Sequence, residues 1–324
     1  MIKRWLPWVL KGAVSFGLIG WVLSKIDPAA AWDQAKGLDA GMALLSVVLM
    51  LVQTALGAVR WALVLRALSA TFHWLQTLSV YCIGVFFSIV LPGAVGGDAV
   101  RMWFARRNGL SLATAVNSVA LERAITVFAL VLLVCLTQPI LMLRLPNLPG
   151  AWVFPVLLAV CVLGILLLAS LDRLPQSLHR WRVVRGLALL AADTRKLFFH
   201  PGYSLITLVV ALAGHVNLSL VVYVLARGLN LEVHVLDCLV LVPPVILIMT
   251  LPISIAGWGV RETAMVTAFS FVGLSSSSTL VLSILFGLIT MLTALPGGLV
   301  FLLAGGRRME EEELAAEAAA DEKA

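Results

Sequence analysis

Eight apolar stretches dominate this chain, at 5–24, 40–59, 74–91, 111–137, 151–170, 203–226, 237–251 and 275–304. A helix rising ~1.5 Å per residue crosses ~30 Å of hydrocarbon in ~20 residues, and most of these stretches reach that length. The pattern therefore demands an all-α integral membrane protein. Composition agrees: 61% of the 324 residues are apolar and 12% charged, against ~45–50% and ~25% in soluble domains. No single water-soluble core absorbs that surplus, which excludes a soluble enzyme, a disordered chain and a disulfide scaffold. The first stretch follows Lys3 and Arg4 and precedes Ala29-Ala30-Ala31. It is too long for a signal-peptide core and predicts an uncleaved first helix.

The third and seventh stretches end in proline-glycine breaks, Leu91-Pro92-Gly93-Ala94-Val95-Gly96-Gly97-Asp98 and Leu251-Pro252-Ile253-Ser254-Ile255-Ala256-Gly257-Trp258. Each is followed by a short segment, 98–108 or 258–272, and then by another full span. Proline lacks a backbone donor and glycine is a poor helix former, so the chain must unwind there. Unwound backbone is tolerated at membrane depth only where protein or water covers it. The expectation is six full spans plus two re-entrant helical hairpins.

Charge placement supports that layout. With the N-terminus cytoplasmic, Lys3, Arg4, Arg60, Arg66, Arg106, Arg107, Arg173, Arg180, Arg182, Arg185, Arg195, Lys196, Arg307 and Arg308 all fall inside. Only Lys25, Lys36, Arg144 and Arg227 fall outside, the bias expected of cytoplasmic loops. Both termini are then cytoplasmic, in a multi-pass protein of the cell (inner) membrane. The net charge of +6 sets orientation and meets anionic head groups, and no nucleic-acid partner is expected. Segment 171–200 reads either as an amphipathic surface element, with Leu174, Leu178, Trp181, Leu187 and Leu190 among basic residues, or as a basic connector. The acidic tail, 305–324, is cytoplasmic and carries no chemistry.

The two breaks align on each other. Leu91, Pro92, Gly97, Val100 and Arg101 match Leu251, Pro252, Gly257, Val260 and Arg261 at a constant offset of 160, and Gly109-Leu110-Ser111 is echoed by Gly273-Leu274-Ser275. Three spans lie between the breaks, so the second hairpin enters from the opposite face. Each half, 5–137 and 151–304, reads span, span, hairpin, span, an inverted-topology repeat within one unit, 1–304. In transporters of that layout broken helices meet near the midplane, with helix N-termini facing an anionic group.

Asp98, Arg101, Glu122, Arg123, Arg261 and Glu262 lie in or against membrane segments. Each such charge costs ~2.5–3.5 kcal/mol at a bilayer centre unless paired, and three acids with three arginines pair well. One reading is a buried ion-pair cluster that only locks helix register. The stronger reading is a substrate or ion path, because intramembrane charges concentrate there. The arginine fork fits phosphate, the head group at hand in a bilayer. Lys11 is expected to snorkel, and His215 and Asn217 to bond between helices. Cys82, Cys135, Cys161 and Cys238 lie far apart without metal spacing, and no metal or cofactor is expected.

Leu91-Pro92-Gly93 through Gly96-Gly97-Asp98, Arg101, Glu122-Arg123, and Pro252 with Gly257-Trp258-Gly259-Val260-Arg261-Glu262 resemble the lysylphosphatidylglycerol synthase transmembrane (flippase-like) domain family. Arg60-Trp61 resembles an early motif of that family, and the likeness covers about 5–304. The resemblance implies a bacterial or archaeal protein that moves a lipid with a charged or glycosylated head between leaflets. Relatives add a soluble aminoacyl transferase domain; only about twenty residues follow residue 304 here, so synthase activity is not carried over. The head-group phosphate is expected at the two hairpin tips, with Pro92, Gly93, Gly96, Gly97, Pro252, Gly257 and Gly259, and at Arg101 and Arg261; Asp98, Glu122 and Glu262 would hold the arginines or a cationic head-group moiety, and Arg123 and Arg60 would complete the polar lining. Ile253-Ser254-Ile255-Ala256 stands where a more glycine-rich tip is common, which leaves that backbone less free to approach a ligand.

The expected function is thus a flippase- or scramblase-like transporter, not an enzyme, for a phospholipid, glycolipid or polyprenyl phosphate. Homo-oligomerisation is left open. The rivals are a membrane polyprenyl-phosphate transferase using an acid as general base and a non-transporting partner of a lipid-synthesis complex.

Overall fold

The computed structural model describes residue 33 and residues 35–70, 72–91, 96–144, 152–173, 182–250 and 258–321; side chains are described through residue 303, except those of residues 141, 144, 182 and 183. Among the described residues the chain forms ten α-helices, one 3-10 turn and no strand. They are α1 Ala40–Ala67, α2 Trp74–Val90, α3 Gly96–Arg107, α4 Leu112–Arg144, α5 Val153–Ala169, α6 Arg182–Phe198, α7 Pro201–Gly228, α8 Val235–Met249, α9 Val260–Ser270 and α10 Ser276–Asp321. The expected first span at 5–24, with Lys11, lies outside the described residues.

Among the described residues four helices are long and apolar enough to cross a membrane: Ala40–Ala67, Leu112–Ile140, Pro201–Gly228 and Ser276–Leu303. The remaining expected span, α5, has 17 residues and reaches only ~25 Å. It sits at the periphery, with Val156, Val160, Leu163 and Leu167 exposed. Large apolar side chains exposed along α1, α5, α7 and α10 suit a lipid solvent. This is an all-helical integral membrane protein.

Helices α1 and α7 form its axis. They run antiparallel, since the Asp39 N–H donates to Gly228 O, Asn217 Nδ2 donates to Leu49 O, and Gly214 lies by Gln53 and Arg60. The ends of the molecule follow from this pair. The C-terminus of α1 shares one end with the starts of α2, α4 and α7, and α8 and α10 start at the other.

Helices α2 and α3 run back along each other from the first end. A Cβ on Gly97 would lie 2.0 Å from Ser88 Oγ and 2.1 Å from Gly84 O, so only glycine lets the two backbones approach this closely. Helices α8 and α9 make the matching pair at the far end. One apolar core joins α1–α4 around Trp61, Leu65, Ile83, Phe104 and Val119. A larger one joins α7–α10 around Leu225, Leu241, Met265, Phe269 and Leu282.

The sequence echo at Gly109 and Gly273 is a structural one. Both glycines have positive φ, 100° and 81°. Leu110 N–H donates to Ala105 O and Leu274 N–H to Phe269 O, each at 3.2 Å. Ser111 and Ser275 then cap α4 and α10 by accepting from Thr114 N–H and Ser278 N–H. A second echo accompanies it: α1 and α7 both have 28 residues and are followed by left-handed Ser69 and Asn230, and α2 and α8 both start after a histidine, His73 and His234.

Two expectations need correction. Arg60, counted with the cytoplasmic set, is 6% exposed and bonded inside the protein. Helix α1 continues to Ala67, two turns past the expected end at 59, and carries Arg60 into the interior. Helix α6 is amphipathic but does not simply lie on the membrane surface or act as a connector: Ala191, Thr194 and Leu197 are buried, with Leu197 packed on Val64 and Leu121. Leu187 and Leu190 are half-buried, and Leu174, Leu178 and Trp181 lie outside the described residues. Asp172, just after α5, holds α6 through both carboxylate oxygens on Arg195, at 2.8 and 2.6 Å.

Candidate functional site

Three helices bring five of the expected charges into one chain of contacts. Glu122 of α4 is 1% exposed. Its Oε1 accepts from Arg60 Nε of α1 at 2.7 Å, and its Oε2 from Arg101 Nη1 of α3 at 3.0 Å. The same Arg101 nitrogen donates to Asp98 Oδ1 at 3.3 Å. Asp98 is in turn held by a fork from Arg123, Nε to Oδ2 at 2.7 Å and Nη2 to Oδ1 at 3.1 Å. The order is Arg60–Glu122–Arg101–Asp98–Arg123. Three guanidiniums meet two carboxylates, so this network carries one uncompensated positive charge among the described residues.

Local sequence explains the assembly. Asp98 stands in the first turn of α3, where a carboxylate is favoured by the positive end of the helix dipole. Arg101 lies one turn on, on the same face, and Glu122-Arg123 places one side chain inward and the next outward. The network opens at Arg123, whose side chain is 53% exposed against 9% for Asp98 and 2% for Glu122. Glu122 is ten residues into α4, ~15 Å from its start.

Arg101 is 4% exposed, with Trp61 and Tyr81 rings each 4.6 Å from its guanidinium carbon. Trp61 is fully buried and donates from Nε1 to Ser118 Oγ; Tyr81 Oη accepts from Arg60 Nη2 at 3.5 Å. The Nε and Nη2 groups of Arg101 are buried with no hydrogen-bond partner, an arrangement that costs ~1–3 kcal/mol per donor. Neither Trp61 nor Tyr81 was singled out as a site residue from the sequence. Trp61 had a signal as the neighbour of Arg60; Tyr81, inside an apolar stretch, had none.

Arg261 and Glu262 form a separate centre. Arg261 donates from Nε and Nη2 to Glu262 Oε1, at 3.0 and 2.5 Å, and from Nε to Ser283 Oγ at 3.3 Å. Its guanidinium carbon lies 4.4 Å from the Trp258 ring centre. Glu262 Oε2 accepts from the Gly259 N–H at 2.6 Å, closing the start of α9, and Gly259 has φ 82°. A Cβ on Gly287 would lie 2.3 Å from Arg261 Nη2, so that glycine makes the room the guanidinium occupies. One arginine and one carboxylate leave this centre neutral. No described hydrogen bond or ion pair joins it to the first.

Gly96 and Gly97 begin α3. Pro92, Gly93, Pro252 and Gly257 lie outside the described residues. His215 and Asn217 bond between helices as expected: His215 Nε2 is 3.0 Å from Thr126 O, and Asn217 Nδ2 donates to Leu49 O and Gln53 Oε1. A family model described as the lysylphosphatidylglycerol synthase TM region matches residues 8–298. No curated protein matches the chain.

Proposed function

Since the chain belongs to the lysylphosphatidylglycerol synthase TM region family, a family of membrane proteins involved in lipid handling, we propose that it carries lipids with a phosphate-containing or glycosylated head group between leaflets. The observation that carries this reading is the excess positive charge of the Arg60–Glu122–Arg101–Asp98–Arg123 network, with Arg123 half-exposed on a helix apolar enough to span a membrane. A network that only locked helix register would be most stable when neutral and closed. This one is neither, as a site awaiting a mobile anion would be.

In this reading α2–α3 and α8–α9 are re-entrant hairpins entering from opposite faces. The matched helix ends at Ser69 and Asn230, and at Gly109 and Gly273, support an inverted repeat. Arg101 and Arg123 line the path, Asp98 and Glu122 hold them, and Arg261–Glu262 anchors the second hairpin. Acyl chains stay in lipid while only the head needs a polar route, and rocking of one repeat against the other alternates access. The N- and C-termini face the cytoplasm of a bacterial or archaeal cell (inner) membrane, following the basic residues. The reading involves no enzyme activity: Asp98 has both oxygens engaged by Arg123, which favours a charge partner over the general base of a transferase.

Reconstitution into liposomes with fluorescent or radiolabelled lipids tests the proposal. Leaflet exchange above protein-free vesicles is expected for at least one anionic or glycosylated lipid. The absence of exchange across such a panel overturns it.

A further inference from the structure

Beside α5 lies an apolar cavity of about 340 Å³ that the transport reading leaves unused. Ile125 and Phe128 of α4, Ile165 and Leu166 of α5, Phe198 of α6 and Leu208 of α7 supply its walls. Among the described lining residues Ser204 alone is polar, and its hydroxyl donates to Pro201 O. Val162 and Leu166 also line a second cavity, of about 470 Å³, which continues between α4 and α5 to Pro155. From Pro155 to Leu166 the groove follows ~16 Å of helix, close to the ~15 Å hydrocarbon depth of one leaflet. It stays open because α5 leans on α4 and α6 and leaves Val162 and Leu166 exposed toward α7. By helical period Ile125 and Phe128 stand on the side of α4 turned away from Arg123, so this groove is separate from the charge network.

Wall chemistry and charge select the occupant. Walls without a free hydrogen-bonding group make a polar guest costly, and an unfilled apolar groove forfeits dispersion contacts, so hydrocarbon belongs there. At its Phe198 end the groove reaches the junction of α5 with α6, where Arg173, Arg195 and Lys196 meet Asp172 and Asp193. Both acids are engaged: Asp172 by Arg195, and Asp193 by Lys196 at 3.0 Å and by Asn117 Nδ2 at 2.8 Å. Arg173 is exposed, which leaves this junction one positive charge in excess among the described residues. That excess attracts an anionic head and gains nothing from a zwitterionic one. We infer that the groove seats one acyl chain of an anionic phospholipid, with the head against Arg173 and Lys196 and the second chain in the bilayer. The lipid is a fixed ligand that completes the packing of α5; it is not the transported one.

Photolabelling of the full chain in phosphatidylcholine nanodiscs tests this, with a trace of phosphatidylglycerol that carries a diazirine in one acyl chain. After proteolysis, label on α5 and the start of α7 is expected to exceed that on the lipid-exposed Leu44 and Val48 of α1 by at least about fivefold. Unlabelled phosphatidylglycerol should remove the excess, and the same addition of phosphatidylcholine should not. Leu166→Trp fills the groove and should abolish the excess. Leu167→Trp, at an exposed position outside the lining, should keep it. Arg173→Glu should cut it about fivefold. A monodisperse elution profile for each variant excludes misfolding as the cause. Equal label on α1 and in the groove, or an unchanged excess in Leu166→Trp, overturns the site. Equal competition by phosphatidylcholine, or an unchanged excess in Arg173→Glu, overturns the anionic head. The readout needs no leaflet exchange, so its failure is distinct from failure of the transport reading.

Discussion

Glu122 is the residue on which the first centre turns, because it is the shared acceptor of Arg60 and Arg101. Removing one partner of a buried ion pair leaves an uncompensated charge and costs ~3–5 kcal/mol. Glu122→Gln is therefore expected to lower thermal stability in detergent by an amount of that order. Breaking the exposed Lys36–Asp33 pair by Lys36→Ala should cost ~0–1 kcal/mol. Equal melting temperatures for the two variants would contradict the buried network. The sequence exposed these charges because carboxylates and arginines inside apolar runs stand out at once. It did not show the pairing, since contacts such as Arg60 to Glu122 depend on how α1 and α4 cross.

At the scale of elements, the α2–α3 seam and the α6 attachment make separate predictions. Gly97→Ala forces a methyl into Ser88 Oγ and Gly84 O, and overpacking of this kind costs ~1–3 kcal/mol or more. The variant should lose stability and leaflet exchange together. Gly164→Ala on α5, where nothing lies within 4 Å of the added atom, should change neither. Full exchange activity in Gly97→Ala would show that the seam can part without consequence. The attachment of α6 depends on pH. The fork from Arg195 holds the Asp172 carboxyl below the usual carboxylate range. Its contribution is thus fully present above ~pH 3.9, the ordinary aspartate value, and is lost as pH falls through the lowered value. Hydrogen exchange in α6 should be flat from neutral pH down to about pH 4, after correction for intrinsic rates, and accelerate below it. Asp172→Asn should remove that acid step; its persistence in the variant would assign the transition to another group. Helix existence was legible from apolar periodicity and length. The docking of Leu197 on Leu121 was not, because an amphipathic helix buries the same face against protein or lipid.

For the whole molecule, the ends fixed by the antiparallel α1–α7 pair predict accessibility. In oriented vesicles, single cysteines replacing exposed Arg106 or Lys196 should react with an impermeant maleimide from one side, and those replacing Glu232 or Ser276 from the other. Labelling of all four from one side would break the topology. The sequence by itself determined the solvent, the helical class and the order of long and short helices, because hydrocarbon admits few ways to satisfy a backbone. It also matched the Gly109-Leu110-Ser111 junction to Gly273-Leu274-Ser275, which the backbone repeats. Only the tertiary structure decided that the two halves differ in charge. Arg261 takes its acid from the adjacent Glu262, which lies within local reach. Arg101 shares Glu122 with Arg60 across three helices, and such long-range geometry leaves no periodic trace in a chain.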